Sequence, residues 1–304
     1  MSCYIVDPVE VELLESNIPD AEDGITQFVE GTNYDLGVTV QKGEDIFESL
    51  IANNTSIPVA TTTTIDWEYV RKANKWAAFD SFNSTITTNA EKIEYVVKSR
   101  FVDTLAFIKL KALSVTVERF DLADDTFSNV LEVQTFQTFK RDVYSVYDML
   151  MADHEYQDTL IVNLFPYFDV KLRISIELPN GIAEVGNMPY GRKKDLGLTL
   201  ISPAPVHELK NLFDITLDER TGIVKKVPIL PIEGGTIPVI NNINQIERTK
   251  NIFSKLIGKA VLWIAIEKTE NIPSLVLFGY YKRITTPRDN LKTITRNIII
   301  EGTA

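Results

Sequence analysis

One cysteine, two histidines and no long uncharged apolar run set the first bounds on this 304-residue chain. Cys3 stands alone, so no intramolecular disulfide and no cysteine-based metal cluster can form within one chain. That usage suits synthesis in a reducing compartment such as a bacterial cytoplasm. The N-terminus lacks a basic region followed by an apolar stretch, and no signal peptide is expected. No window approaches the length of uncharged apolar sequence that a bilayer-spanning helix needs, so no membrane span is expected. The Asn-x-Ser/Thr triplets at Asn53, Asn54 and Asn83 then carry no glycosylation meaning.

Positive charge is also short, with 31 basic against 42 acidic residues, a net charge of −11 and a pI near 4.8. Nucleic-acid binding rests on neutralising phosphates with Lys and Arg, so this balance argues against nucleic-acid recognition. It argues equally against adhesion to an anionic membrane. Several catalytic signatures are missing as well. G-x-S-x-G, G-x-x-x-x-G-K-[ST], G-x-G-x-x-G and H-E-x-x-H are all absent. His154, in Asp153-His154-Glu155, and His207, after Pro203-Ala-Pro205-Val, read as surface or loop residues. The chain is therefore expected not to be an enzyme and to use no cofactor.

What is present is β texture. An apolar share of 44% permits a sizeable core, and the length suggests about two domains. Residues 1–32 are acidic and read as an extended arm. Residues 33–72 show short apolar runs broken by Gly and Asn, the texture of a small β module. Residues 73–183 read as an antiparallel sandwich, because Ile93, Tyr95 and Val97 alternate with polar neighbours, as does Leu172-Arg-Ile-Ser-Ile176. Leu178-Pro-Asn-Gly181 reads as a turn. Residues 184–304 read as an α+β domain with one helix over about 244–258, packed on a sheet. Ile243, Ile246, Phe253, Leu256 and Ile257 share its apolar face, and Gly258 stands as its stop.

Two binding readings come from the residues. Trp67, Tyr69, Trp76, Phe79 and Phe82 cluster within 16 residues. They are either the core of a small β module or a platform on which sugar faces stack, with Trp67, Tyr69 and Trp76 the glycan-contact candidates. Asp121, Asp124, Asp125 and Asn129 make an oxygen-rich loop. It is either a calcium site or a solvated connection, and its spacing departs from the D-x-[DN]-x-[DN]-G pattern.

The order of motifs resembles a family of bacteriophage tail proteins with carbohydrate-binding-like modules. Trp67-Glu-Tyr-Val70, then Asn74-Lys-Trp76-Ala-Ala-Phe79-Asp80, then Thr87-Thr88 is similar to their W-x-x-V, T-N-x-W-x-M-F-D and Thr-rich strand, with Ala78 in place of methionine. Tyr34-x-x-Gly37-x-x-Val40 with Phe47-Glu-Ser49 resembles the chitin-binding-type module. Gly186, Gly191 and Leu196-Gly197-Leu-Thr199 match a later motif, and so do Trp263-Ile264, Phe278-Gly279-Tyr280 and Ile300-Glu301-Gly302. The resemblance implies a mainly β fold: a small module, a jelly-roll-like sandwich and a tail-tube or distal-tail-like α+β domain. It also implies a virion tail component that forms a homo-oligomeric ring with tube, hub and fibre proteins and contacts host-surface glycan. A receptor-binding adhesin, a virion-associated glycan hydrolase and a head-to-tail connector stand as rival readings.

Overall fold

The computed structural model describes residues 2–59, 64–124, 126–140, 145, 155–210, 213–218, 223–228, 232–267, 275–286 and 293–303. Nearly all of the regular structure is antiparallel β, and one α-helix appears among the described residues. The two main sheets have nine and five strands.

Six strands of the larger sheet close on themselves. In ring order they are Tyr190–Thr199, Ser2–Pro8, Val261–Ile266, Leu275–Thr285, Thr293–Gly302 and Ile232–Asn242. The seam is made where Leu198 pairs with Ile240 and Thr199 with Val239. Alternation then splits each strand into an inner and an outer set. Cys3, Ile5, Trp263, Val239, Ile298 and Ile300 fill the interior. Helix α1 (Ile246–Lys255) adds Phe253 to this core, with Leu256 just beyond its end, so part of the stripe expected from sequence plugs the barrel, whereas Ile243 and Ile257 of that stripe are exposed. The helix is shorter than the 244–258 expectation, because a 3₁₀ turn over Ile243–Gln245 precedes it. Gly258, at φ +72°, ends the following turn as expected.

Outside the barrel, Thr104–Ile108 and Thr159–Asn163 continue the sheet past Tyr190–Thr199 as a wing. One face of the wing presents Ala106 to Val6, Leu262 and Ile264 on the barrel's outer surface. Its other face presents Leu105, Phe107, Leu160 and Val162 to Ile93, Tyr95, Val117, Leu172 and Ile174 of the five-stranded sheet. The sandwich core is therefore shared between the two sheets.

Three expectations from sequence change here. The acidic arm over 1–32 is not an arm. Ser2–Pro8 is a barrel stave with Cys3, Ile5 and Val6 fully buried, and Glu12–Ser16 is an edge strand of the five-stranded sheet. The acidic residues from Glu10 to Glu30 lie within and around these short strands, Glu12 and Glu15 inside the second, and mask them from a composition reading. Leu178–Gly181 does not reverse the chain. Val170–Val185 runs alongside Thr87–Ser99 on both sides of it, and those four residues bulge out between Glu177 and Ile182, with Asn180 at φ +59°. The boundary near 183 does mark the passage between sheets, but the wing and Ser2–Pro8 cross it, so the units are not contiguous in sequence.

The small module is a four-stranded sheet of Thr26–Gln27, Thr39–Lys42, Asp45–Ser49 and Trp67–Lys72. Tyr34, Val40, Phe47 and Trp67 form its core, with Tyr34 edge-on to Trp67 at 5.7 Å. Burying rings of this size contributes roughly 4–6 kcal/mol each as an upper estimate. Gly37, at φ +79°, makes the turn that lets Tyr34 and Val40 reach the same core. Asn54 is fully buried and satisfied, donating to Ser49 Oγ at 3.1 Å and to the Asp66 carbonyl at 2.8 Å, and accepting from Ser56 N at 3.0 Å.

Candidate functional site

Trp67 and Tyr69 lie two residues apart on one strand and both turn into the module. Trp67 has no exposed surface, and its indole Nε1 donates to the Ser56 carbonyl at 2.8 Å. Tyr69 is half-buried, edge-on to Phe47 at 6.0 Å. Burial, helped by the nearby Asp45 carboxylate, pushes its hydroxyl up to about 12. Trp76 is half-buried beside a 3₁₀ turn over Ala77–Phe79. Trp67 is thus corrected from glycan contact to core: its indole is already spent on packing and on a backbone acceptor. The three candidates form no common exposed face.

The oxygen-rich loop also changes character. Asp124 Oδ1 accepts from Thr126 N at 3.0 Å and Thr126 Oγ1 at 2.8 Å, and Oδ2 accepts from Asn129 N at 2.7 Å. The Asn129 amide first, and Thr126 with it, hold the Asp124 carboxyl down at about 2. Asp121 accepts from Ala123 N at 3.1 Å. These carboxylates cap their own turns, and the described residues contain no cluster of three or more His, Cys, Asp or Glu suited to a metal. Asp125 and His154 lie outside the described residues. His207 is exposed, with Nε2 3.9 Å from Glu233.

What the structure does bring together is a set of surfaces. A cleft of about 700 Å³ separates the small module from the five-stranded sheet and is lined by Glu22, Arg71, Asn74, Thr85, Thr88 and Asn89. Glu22 crosses it: Arg71 Nη2 and Nη1 reach its two oxygens at 2.5 and 3.1 Å, and Asn74 N donates at 2.9 Å. Burial works against the Glu22 carboxylate, but these donors outweigh it and leave its pKa lowered. Outside this cleft, Asp80 accepts from Thr85 Oγ1 at 2.6 Å and Phe82 N at 2.9 Å. Burial dominates there and raises Asp80 to about 6.

A second surface was not singled out from sequence. The chain around Phe101 meets the Phe165–Phe168 loop through a Phe101 N to Tyr167 O bond of 2.9 Å. Phe165, Phe168 and Phe101 are 64%, 57% and 45% exposed. Phe101 is edge-on to Phe168 at 5.0 Å, and Arg100 lies over the Phe168 ring at 4.8 Å. Phe101 holds φ +54°, an uncommon conformation for a bulky residue. The available signal was Phe165-Pro166-Tyr167-Phe168, where proline denies a ladder hydrogen bond and so keeps the rings out of an alternating strand.

The third surface is a hairpin. Val206–Lys210 pairs with Ile232–Thr236 at the open edge of the nine-stranded sheet, and all five of its residues are exposed. Phe213–Asp218 pairs with Ile223–Pro228 in a register only one residue displaced, so the second ladder prolongs the first. This outer ladder is a separate two-stranded sheet that pairs with no other strand among the described residues.

Comparison of the chain with protein-family models, curated proteins and solved structures returned no match.

Proposed function

We propose that the protein is a non-enzymatic structural component of a bacteriophage virion tail, at the tail tip, baseplate or distal-tail ring. On this reading the six-stranded barrel with its plugging helix is the tail-tube-like unit, and the jelly-roll-like sandwich and small module are carried outside it. The observation that carries the reading is the prolonged hairpin. Two strands alone are marginal in water, and unpaired edges recruit further strands. A ribbon standing clear of its own sheet is therefore suited to pairing with a neighbouring copy, and head-to-tail repetition of such a contact closes a ring. The motif order that resembles tail proteins supports the same assignment, and tube, hub and fibre proteins would be the partners.

Light scattering after size exclusion, with negative-stain imaging, tests it. The intact chain is expected to form an oligomer of defined symmetry. A variant with residues 211–230 replaced by a two-residue Asn-Gly turn is expected to stay monomeric with unchanged far-ultraviolet dichroism. An intact chain that is monomeric at all concentrations and indistinguishable from the variant would remove the hairpin as the assembly element.

One observation favours a second reading, an adhesin that touches host glycan. Exposed Phe101, Phe165 and Phe168 with Arg100 form an aromatic and cationic patch of the kind that stacks on sugar faces. Glycan-array binding lost in Phe168→Ala, with folding intact, would support it.

A further inference from the structure

Arg296 lies on the inward-facing side of the Thr293–Gly302 strand, between buried Ile294 and Ile298, and is only 5% exposed. A guanidinium stays charged in proteins, so a buried one is ordinarily paired with a carboxylate or well supplied with acceptors. Arg119, also deeply buried at 1% exposure, follows the first part of that rule: it has a carboxylate beside it, while its Nε and Nη1 make no hydrogen bond. It donates to the Val102 carbonyl at 2.8 Å, lies 3.4 Å from Glu132 and sits over the Tyr167 ring at 5.5 Å.

Arg296 does not. Its hydrogen bonding is one long contact from Nη1 to Asn241 Oδ1 at 3.5 Å. Asn241 is held in that orientation because its Nδ2 donates to the Leu196 carbonyl. No carboxylate among the described residues pairs with Arg296. Burial alone lowers its pKa, whereas Glu132 is a counterweight at Arg119.

The guanidinium lines a pocket of about 340 Å³ between α1 and the ends of two barrel strands. Lys250 is a second cation there, and Ile246, Phe253 and Ile284 supply apolar wall. A chain of net charge −11 has gathered two cations, and no acid among the described residues, in one apolar-walled recess. The volume falls in the range of small-molecule sites, where a few polar groups orient an apolar body.

We propose that this pocket binds a small organic acid with a short apolar body, its carboxylate on Arg296 and Lys250 and its body against Ile246, Phe253 and Ile284. The inference does not depend on the tail assignment, because it rests on the barrel end alone. A polypeptide ending in an apolar residue offers the same carboxylate, and the test separates the two sources.

The experiment is calorimetric titration of the full-length protein with octanoate, octanamide, acetyl-Leu-Leu acid and acetyl-Leu-Leu amide. Octanoate is expected to bind about tenfold or more tightly than octanamide, and Arg296→Met to weaken octanoate about tenfold or more. Lys250→Gln, at an exposed position, is expected to weaken it by about threefold. The acid-against-amide comparison on the unmodified protein decides the matter even where Arg296→Met does not fold. Equal binding of octanoate and octanamide, or no octanoate binding at about 10 mM, overturns the proposal. A dipeptide acid that binds about tenfold more tightly than octanoate overturns the small-acid source and assigns the pocket to a chain terminus.

Discussion

Arg71 holds Glu22 through its two terminal guanidinium nitrogens, at 2.5 and 3.1 Å, and so ties the last strand of the small module to the segment that leads into it. The Asn74 amide adds a third donor to the same carboxylate, and Lys75 reaches Asp20 at 2.6 Å. These contacts position the module on the sandwich.

Glu22→Gln is expected to lower stability by about 1 kcal/mol at neutral pH, a figure reduced for the partial exposure of both side chains. Because the Glu22 pKa is lowered in the fold, its contribution is present above the ordinary carboxylate range and is lost as pH falls through the lowered value. Urea unfolding of both proteins at pH 7 and at pH 3 checks this, with the difference between them shrinking at pH 3.

Asp80 has the opposite sign. Burial raises its carboxyl from 3.8 to about 6, so the folded state holds the proton more tightly than the unfolded chain does. Its contribution is complete below the unfolded value near 3.8 and is lost as pH rises through about 6. The loss is at most about 3 kcal/mol. Asp80→Asn is expected to flatten the stability profile between pH 4 and 7, as read by thermal midpoints across that range. An unchanged slope in the variant would assign the profile to other groups.

Cys3 reports on the N-terminal strand. Burial pushes its thiol up to about 12, so the thiolate that reacts with alkylating reagents is scarce and shielded. The native protein is expected to resist iodoacetamide at pH 8 and to react at once in denaturing urea, as followed by intact mass. Rapid labelling of the native protein would place Ser2–Pro8 outside the barrel.

Gly197 sits at the closing seam with φ +121°, and a Cβ there would lie 2.6 Å from both the Ile240 carbonyl and the Asn241 side chain. Gly197→Ala is expected to cost more than about 2 kcal/mol, from backbone strain and from displacement of the seam. Hydrogen exchange should show the loss as faster exchange at Leu198, Thr199 and the facing Val239–Ile240 pair.

Trp67→Ala is expected to destabilise the small module by about 3–5 kcal/mol, the range for truncating a large buried ring. Phe168→Ala, on an exposed ring, is expected to change the unfolding midpoint little. Comparable losses at the two positions would mean that the Phe165–Phe168 loop is packed rather than presented.

The β character of the chain was legible in the sequence, and so was an amphipathic helix, expected over about 244–258 and found at Ile246–Lys255. Those properties are local: alternation at Leu172–Ile176 and the 3.6-residue stripe through Ile246 and Phe253. The sequence also located Gly258 as the helix stop, because positive φ selects glycine. It took the folded chain to show that Ser2–Pro8 is a barrel stave, that Trp67 is core while Phe165 and Phe168 are not, and that Arg296 faces a pocket with no carboxylate among the described residues. Each of these depends on a partner far away in sequence: Ser2–Pro8 on Tyr190–Thr199 and Val261–Ile266, Trp67 on Tyr34, Arg296 on Asn241. Periodicity says which face of a strand is apolar. It does not say which strand lies beside it, because pairing energy is set by the side chains that meet across the ladder.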